Sequence, residues 1–394
     1  LYTIFGGMKS VLYTSVLQTP ILLLGSLIIL VLGFKELGGW DEMMRICGAV
    51  TVNDQGNTMT ELIRSNSDPN FPWLGALIGS AIIGFWYWCT DQFIVQRVLS
   101  GKNEMEARRG TIFGAYLKLL PVFLFLIPGM IAFALHQKYI GAGGEGFLPM
   151  LANGTANADA AFPTLVAKLL PAGVKGLVVC GILAALMSSL ASLFNSSAML
   201  FTIDFYKRFK PETPEKKLVG IGQIATIVIV VLGILWIPIM RSVGDVLYTY
   251  LQDVQSVLAP GIAAAFLLGI CWKRTSAQGG MWGLISGMVI GLTRLGAKVY
   301  YSNAGEVADS TFKYLFYDMN WLFFCGWMFL FCIIVVIVVS LATEAPTAEK
   351  IQGLVFGTAT KEQKAATRAS WNHWDIIHTV IILAITAAFY WYFW

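Results

Sequence analysis

The chain has 394 residues, of which 57% are hydrophobic and only 13% charged, and its formal net charge is +4. An ordinary soluble domain carries roughly 25% charged residues, so the composition excludes a water-soluble globular protein and implies a chain whose solvent is lipid. The small positive balance gives no reason to expect nucleic acid as a partner.

Apolar runs predict nine membrane spans, at 11–33, 73–95, 111–134, 173–200, 218–240, 246–271, 279–300, 320–342 and 375–393. Each is close to the roughly 20 residues that cross a hydrocarbon core of about 30 Å as a helix. Lysine and arginine gather at 97–109, 207–217, 273–274 and 350–368, always two spans apart, so these loops fall on one side of the membrane. Short cytoplasmic loops carry that excess. The first span then starts inside, while the loops 35–72 and 135–172, the region 301–319 and the C-terminus face outward, as expected of a multi-pass protein of the plasma membrane.

Polar residues inside the predicted spans are the candidates for function, because they are costly in lipid and mark solute or ion paths more often than chance allows. The second span runs without a break from Phe71 into Trp86-Tyr87-Trp88-Cys89-Thr90-Asp91-Gln92 and on to Arg97. Lys118 lies in the third span between Tyr116 and Pro121. Ser188, Ser189, Ser192, Asn195 and Ser196 crowd the fourth, and Gln252, Asp253 and Gln255 the sixth. Gly279, Gly283, Gly287 and Gly291 recur every four residues in the seventh, a ridge for close helix packing. The six cysteines are too scattered for a disulfide or metal framework, and Cys47 stands alone in an outer loop. His136, His373 and His378 have no metal spacing and read as membrane-edge residues. The sequon Asn153-Gly154-Thr155 is on the outward side.

Six blocks, in order along the chain, carry a resemblance: WYWCTDQFIVQR at 86–97, GAYLKLLP at 114–121, GILAALMSSLASLFNSS at 181–197, FTIDFYKR at 201–208, YLQ at 250–252 and FLLGICWKR at 266–274. Together they resemble the sodium:solute symporter family, in its sodium/glucose cotransporter branch. The resemblance implies an all-α membrane protein with the inverted-repeat fold of five plus five helices. It makes 1–394 a single transmembrane domain and an N-terminally truncated portion of that fold. Residues 1–34 would be the last helix of the first repeat, 73–271 the second repeat, and 279–394 three trailing helices. The chain begins at Leu1, and the family's first four core helices and one preceding helix are expected upstream of it.

The resemblance also implies the site. Gln252 and Lys118 would bond sugar hydroxyls, Tyr87 would lie beneath the sugar as an inner gate with Trp88 beside it, and Tyr248 would be an outer aromatic gate. Sodium would be held by the Ala185 carbonyl with Ser188 and Ser189, since a hard cation takes several oxygens at once. Trp86 would be structural, and Asp91 to Arg97 a polar cluster holding helices together. Where the family often has aspartate in a Tyr-Thr-Asp motif, this chain reads Tyr13-Thr14-Ser15, and the hydroxyl that pairs with that acid is replaced by Ala191. One coupled sodium ion is therefore expected. Gly84 and Gln255 also depart from residues that sugar-transporting relatives often carry. The expected activity is sodium-coupled uptake of a hexose by alternating access. The alternatives are a symporter for myo-inositol or another organic solute, and a non-transporting sugar sensor. An enzyme would need a paired nucleophile and base or a metal cluster, and the sequence suggests neither. Oligomeric state is not readable from these residues.

Overall fold

The computed structural model describes residues 2–54, 56–151, 154–241, 247–303 and 308–394, with the side chains of 2–12, 14, 15, 17, 239–241, 247–250 and 303 excepted. Asn153 of the sequon and the side chains of Thr14, Ser15 and Tyr248 lie outside the described residues. The elements in order are α1 (Tyr2–Leu37), α2 (Trp40–Gly48), α3 (Trp73–Cys89), α4 (Gln92–Leu99), α5 (Glu104–Pro121), α6 (Ile127–Gly141), α7 (Ala161–Leu169), α8 (Ala172–Met199), α9 (Lys207–Phe209), α10 (Glu215–Arg241), α11 (Leu247–Cys271), α12 (Ala277–Asn303), α13 (Thr311–Lys313), α14 (Trp321–Ala342), α15 (Ala348–Ile351), α16 (Lys361–Ala369) and α17 (His373–Tyr392). Single π-helical turns at Val122–Leu126 and Leu200–Tyr206 carry α5 into α6 and α8 into α9. No strand occurs among the described residues.

Among the described residues, seven helical stretches are long and apolar enough to cross a membrane, and α3 with α4 makes an eighth if that bent pair is one span. The expected seventh span, 279–300, is helical within α12 but is not among them. Arg294, Lys298 and its glycines lower its hydropathy. The expected unbroken span 73–95 is also corrected. The chain turns by 47° between α3 and α4. There the Thr90 hydroxyl donates to the Trp86 carbonyl at 2.7 Å, and the Asp91 carboxylate accepts the Phe93 N–H at 3.1 Å as the N-cap of α4. Short polar side chains that bond nearby backbone compete with helix continuation in this way.

The chain divides into two compact units. Unit 1 comprises residues 1–51, 58–60 and 115–244. Within it α1 lies along α8, and glycines set the approach: a Cβ on Gly25 would meet Val178 Cγ2 at 2.7 Å, and one on Gly181 would meet Ile21 Cγ2 at 3.1 Å. α1 ends where Gly38 and Gly39 take φ of 111° and 107° and both turn their N–H groups back to the Phe34 carbonyl. Glycine adopts such angles at little cost, which is why it closes helices. The core joins Ile29, Leu37, Met43, Ile131, Leu135 and Leu165. Cys47 belongs to this core rather than to an open loop, and burial pushes its thiol up to about 11. His136 is buried near the end of α6 and its Nδ1 accepts the Leu148 N–H at 3.0 Å, so it is a satisfied structural histidine.

Unit 2 comprises residues 52–57, 61–114 and 245–394. Here α11, α12 and α14 pack on one another, and α3 packs on α11 and α14. The expected glycine ridge is the seam: added Cβ atoms at Gly283 and Gly291 would strike Val336 Cγ2 at 2.4 Å and Val257 Cγ1 at 2.5 Å. Ile82 and Ile83 of α3 join Ala259, Ala263, Trp321, Leu322 and Cys325 in a common cluster.

The segment before α3 is organised by Asp68, whose carboxylate accepts the Asn70 and Phe71 N–H groups at 2.9 and 2.8 Å and the Asn53 amide at 3.0 Å. Burial alone would raise its pKa, but these donors and Arg64 outweigh it and hold the carboxyl below its ordinary value. A lowered folded pKa stabilises the segment above the unfolded value of about 4 and is lost as pH falls through the folded value. Asp68→Ala should therefore abolish hydrogen-exchange protection of the Asn70 and Phe71 amides at neutral pH, while the wild type loses it only in acid. Equal protection in both proteins at neutral pH would refute the role.

Candidate functional site

The aromatic motif divides at the end of α3. Trp86 packs on the Ile82, Ile83 and Trp321 cluster and is structural, as expected. Tyr87 is half-buried, and its ring meets Trp88 edge-to-face at 5.3 Å. Trp88 remains 49% exposed at the point where α3 stops. The residues that follow build the bend. Asp91 caps α4, Gln96 is buried, and the Arg97 guanidinium lies 5.2 Å over the Phe93 ring.

In unit 1, one turn of α8 carries Ala185, Ser188 and Ser189. Ser188 is buried and Ser189 is exposed, so the turn presents oxygens at two depths. Ala191, Ser192 and Ser196 are buried, and the Ser196 hydroxyl donates to its own helix at the Leu193 carbonyl, which makes these packing residues. Lys118, on the part of α5 that belongs to unit 1, is exposed.

In unit 2, α11 carries Gln252 half-buried, with Tyr248 in the first turn of the same helix. α11 packs on α3, so unit 2 brings the helix of Gln252 against the helix of Tyr87 and Trp88 through Ala259 and Ala263. A Cβ added at Gly84, one turn before Tyr87 and Trp88, would meet no heavy atom within 4 Å.

Next to Gln252 stands a group that sequence reasoning did not assemble. Asp253 is buried and takes two cations from α12: Arg294, whose Nη2 is 3.5 Å from Oδ1, and Lys298, paired with Oδ2. Arg294 has no exposed surface; it donates to the Met319 carbonyl at 2.8 Å and the Leu315 carbonyl at 3.3 Å, and its guanidinium lies 4.1 Å over Phe324. The signal was present. Opposite charges within apolar segments demand partners, and Arg294 and Lys298 are four residues apart on one helix face.

The model of the sodium:solute symporter family matches residues 1–287. The chain belongs to the sodium:solute symporter family. It is 35% identical to a sodium/mannose cotransporter of Bos taurus, covering 100% of this chain and 69% of that protein. It is 37% identical to sodium/myo-inositol cotransporter 2 of Homo sapiens, with 91% and 54% covered, and 38% identical to sodium/glucose cotransporter 1 of Sus scrofa, with 87% and 54% covered. The chain thus spans about half to two-thirds of the length of these relatives. Its fold matches a Na+-coupled sialic acid symporter in a substrate-bound outward-open state, with a TM-score of 0.64 at 20% identity over 88% of this chain and 65% of that one. The described residues thus share the all-helical fold of this family of multi-pass membrane proteins.

Asp253→Asn leaves Arg294 buried without its carboxylate. Breaking a buried pair from one side costs about 3–5 kcal/mol, so the variant should unfold well below the wild type in detergent, as read by its thermal midpoint. Lys298→Gln, at the more exposed end of the cluster, should cost less.

Proposed function

We propose that the full-length protein couples the inward movement of sodium to uptake of a hexose by alternating access, one sodium per sugar. Gln252 carries this reading. It is an uncharged, half-buried amide on a membrane helix, packed against the helix that ends in Tyr87 and Trp88. An amide both donates and accepts, and aromatic faces cover the C–H patches of a sugar, so the combination suits a polyol ring. Lys118 would add a donor, and Tyr248 would close the site from the other end. Glucose, mannose and myo-inositol, the solutes named for its relatives, are all rings of hydroxyls, so the class of solute is better supported than the member.

A second reading, a carrier of myo-inositol, draws on Gly84. Sugar-transporting relatives often have asparagine or threonine there, and the room for that side chain is open.

Sodium would bind at Ala185, Ser188 and Ser189 and favour the outward-open state. Coupling requires that the ion bind one state better than the other; tightness alone shifts nothing. One charge falling through 100 mV yields about 2.3 kcal/mol, and a tenfold sodium gradient adds about 1.4, enough together for a solute gradient of roughly 500-fold. We place the protein in the plasma membrane with its C-terminus outward, on the lysine and arginine bias of its loops. We further propose that 1–394 acts as one transport domain with repeat boundaries at 1–34, 73–271 and 279–394.

The test is uptake of labelled hexoses and myo-inositol in sodium against choline buffer. Accumulation that depends on sodium is expected, and solute-dependent current without uptake would make the protein a sensor. Ser189→Ala should raise the sodium concentration needed for half-maximal uptake about tenfold, a loss of about 1.4 kcal/mol, with a smaller effect on sugar affinity. An unchanged sodium response would remove Ser189 from the ion site. Gly84→Asn should fold normally and shift the ratio of hexose to myo-inositol uptake towards hexose.

A further inference from the structure

Unit 2 holds a cavity of about 520 Å³ where the first turns of α5 and the start of α17 meet. Arg108, Trp371 and Asp375 line its polar side, and Ile112, Ile376 and Val380 its apolar side. The polar side carries one arginine and one aspartate, and further basic residues stand around it. Arg108 donates to the Ser370 hydroxyl through Nη2 at 3.1 Å, while its Nε is buried without a hydrogen-bond partner. Arg109 Nε is 4.0 Å from Asp375 Oδ1. Arg368 lies 4.4 Å over the Trp371 ring. The short helix α16 leads to this side with Lys361, Lys364 and Arg368 exposed at positions i, i+3 and i+7, which is one face. Of the acids on these helices, Asp375 is already engaged, and Glu104, Glu106 and Glu362 lie exposed in the first turns of α5 and α16. Asp375 pairs with Arg109, and its Oδ2 accepts the Asn372 N–H at 2.9 Å in the capping box of α17.

The arrangement has the profile of a membrane boundary. Arginines and a tryptophan stand at the ends of two spanning helices, and beyond them both helices become predominantly apolar. Basic pockets between membrane helices bind anionic head groups, and basic amphipathic helices lie in the interface beside them. Arginine also matches a phosphate with two parallel hydrogen bonds, which the unpartnered Arg108 Nε is free to help make.

We propose that this cavity seats the head group of an anionic phospholipid from the leaflet that faces the lysine- and arginine-rich loops. The phosphate sits against Arg108 and Arg109, and the first acyl segment runs along Ile112, Ile376 and Val380. Charge complementarity and the apolar wall together single out a lipid, because a soluble anion has no use for the wall and a zwitterionic lipid none for the surplus positive charge. The proposal does not depend on which solute is carried.

The test is native mass spectrometry of the purified full-length protein equilibrated with phosphatidylcholine alone or mixed with phosphatidylserine. Wild type should retain phosphatidylserine in preference to phosphatidylcholine. Arg108→Gln with Arg109→Gln should reduce that preference by roughly fivefold per charge removed, while Arg108→Lys with Arg109→Lys keeps most of it. If the double glutamine variant does not fold, Lys364→Gln with Arg368→Gln, on the exposed helix, gives the same reading. Equal retention of the two lipids by wild type, an unchanged preference in the charge-removed variant, or full displacement of phosphatidylserine by inorganic phosphate would each overturn the proposal.

Discussion

A polar group inside hydrocarbon has no water to turn to, so it must find its partner within the protein. Arg294 shows how far that constraint reaches. Its guanidinium has no exposed surface and is matched by a carboxylate from α11, two carbonyls from the turn before α14, and the ring of Phe324. Three elements are thus held in register around a single side chain. Asp253, which completes the match, is the immediate neighbour of Gln252. The residue proposed to touch the solute therefore sits on a helix whose rotation about its axis is set by a buried ion pair.

The same constraint explains the shape of α3 and α4. A helix can stop inside an apolar layer only where its free backbone groups are taken up locally, and Thr90 and Asp91 do this with a hydroxyl and a carboxylate. The break leaves Tyr87 and Trp88 on the last turn of a helix, where a large ring can stay uncovered. Close packing elsewhere uses the opposite device. Glycines on α1, α8 and α12 remove side chains so that dispersion contacts between backbones replace the hydrophobic drive that lipid cannot supply.

Much of this was legible in the residues. Run lengths marked seven of the nine expected spans, or eight with the bent pair, the four-residue glycine repeat predicted the α12 seam, and six blocks in order identified the family. Trp86 could be separated from Tyr87 because successive helix positions point about 100° apart. Other features were hidden because they depend on residues far apart in the chain. Asp253 and Arg294 are 41 positions apart, and nothing local to either says that they meet. Cys47 looked like a lone loop thiol, and only the packing of α2 on α6 buries it. The break at Thr90 was overlooked because an apolar run continues through it, and hydropathy cannot register a hydroxyl that bonds its own helix.

The sequence by itself determined that this is an all-α membrane protein of the sodium:solute symporter family, since composition, periodicity and ordered motifs are properties of the chain read along its length. The tertiary structure decided where α3 bends, that Asp253 pairs with Arg294 and Lys298, and that Arg108, Trp371 and Asp375 share one cavity. Those outcomes rest on partners brought together across tens to hundreds of residues, and a buried charge or an unfilled cavity exists only once the partners are in place.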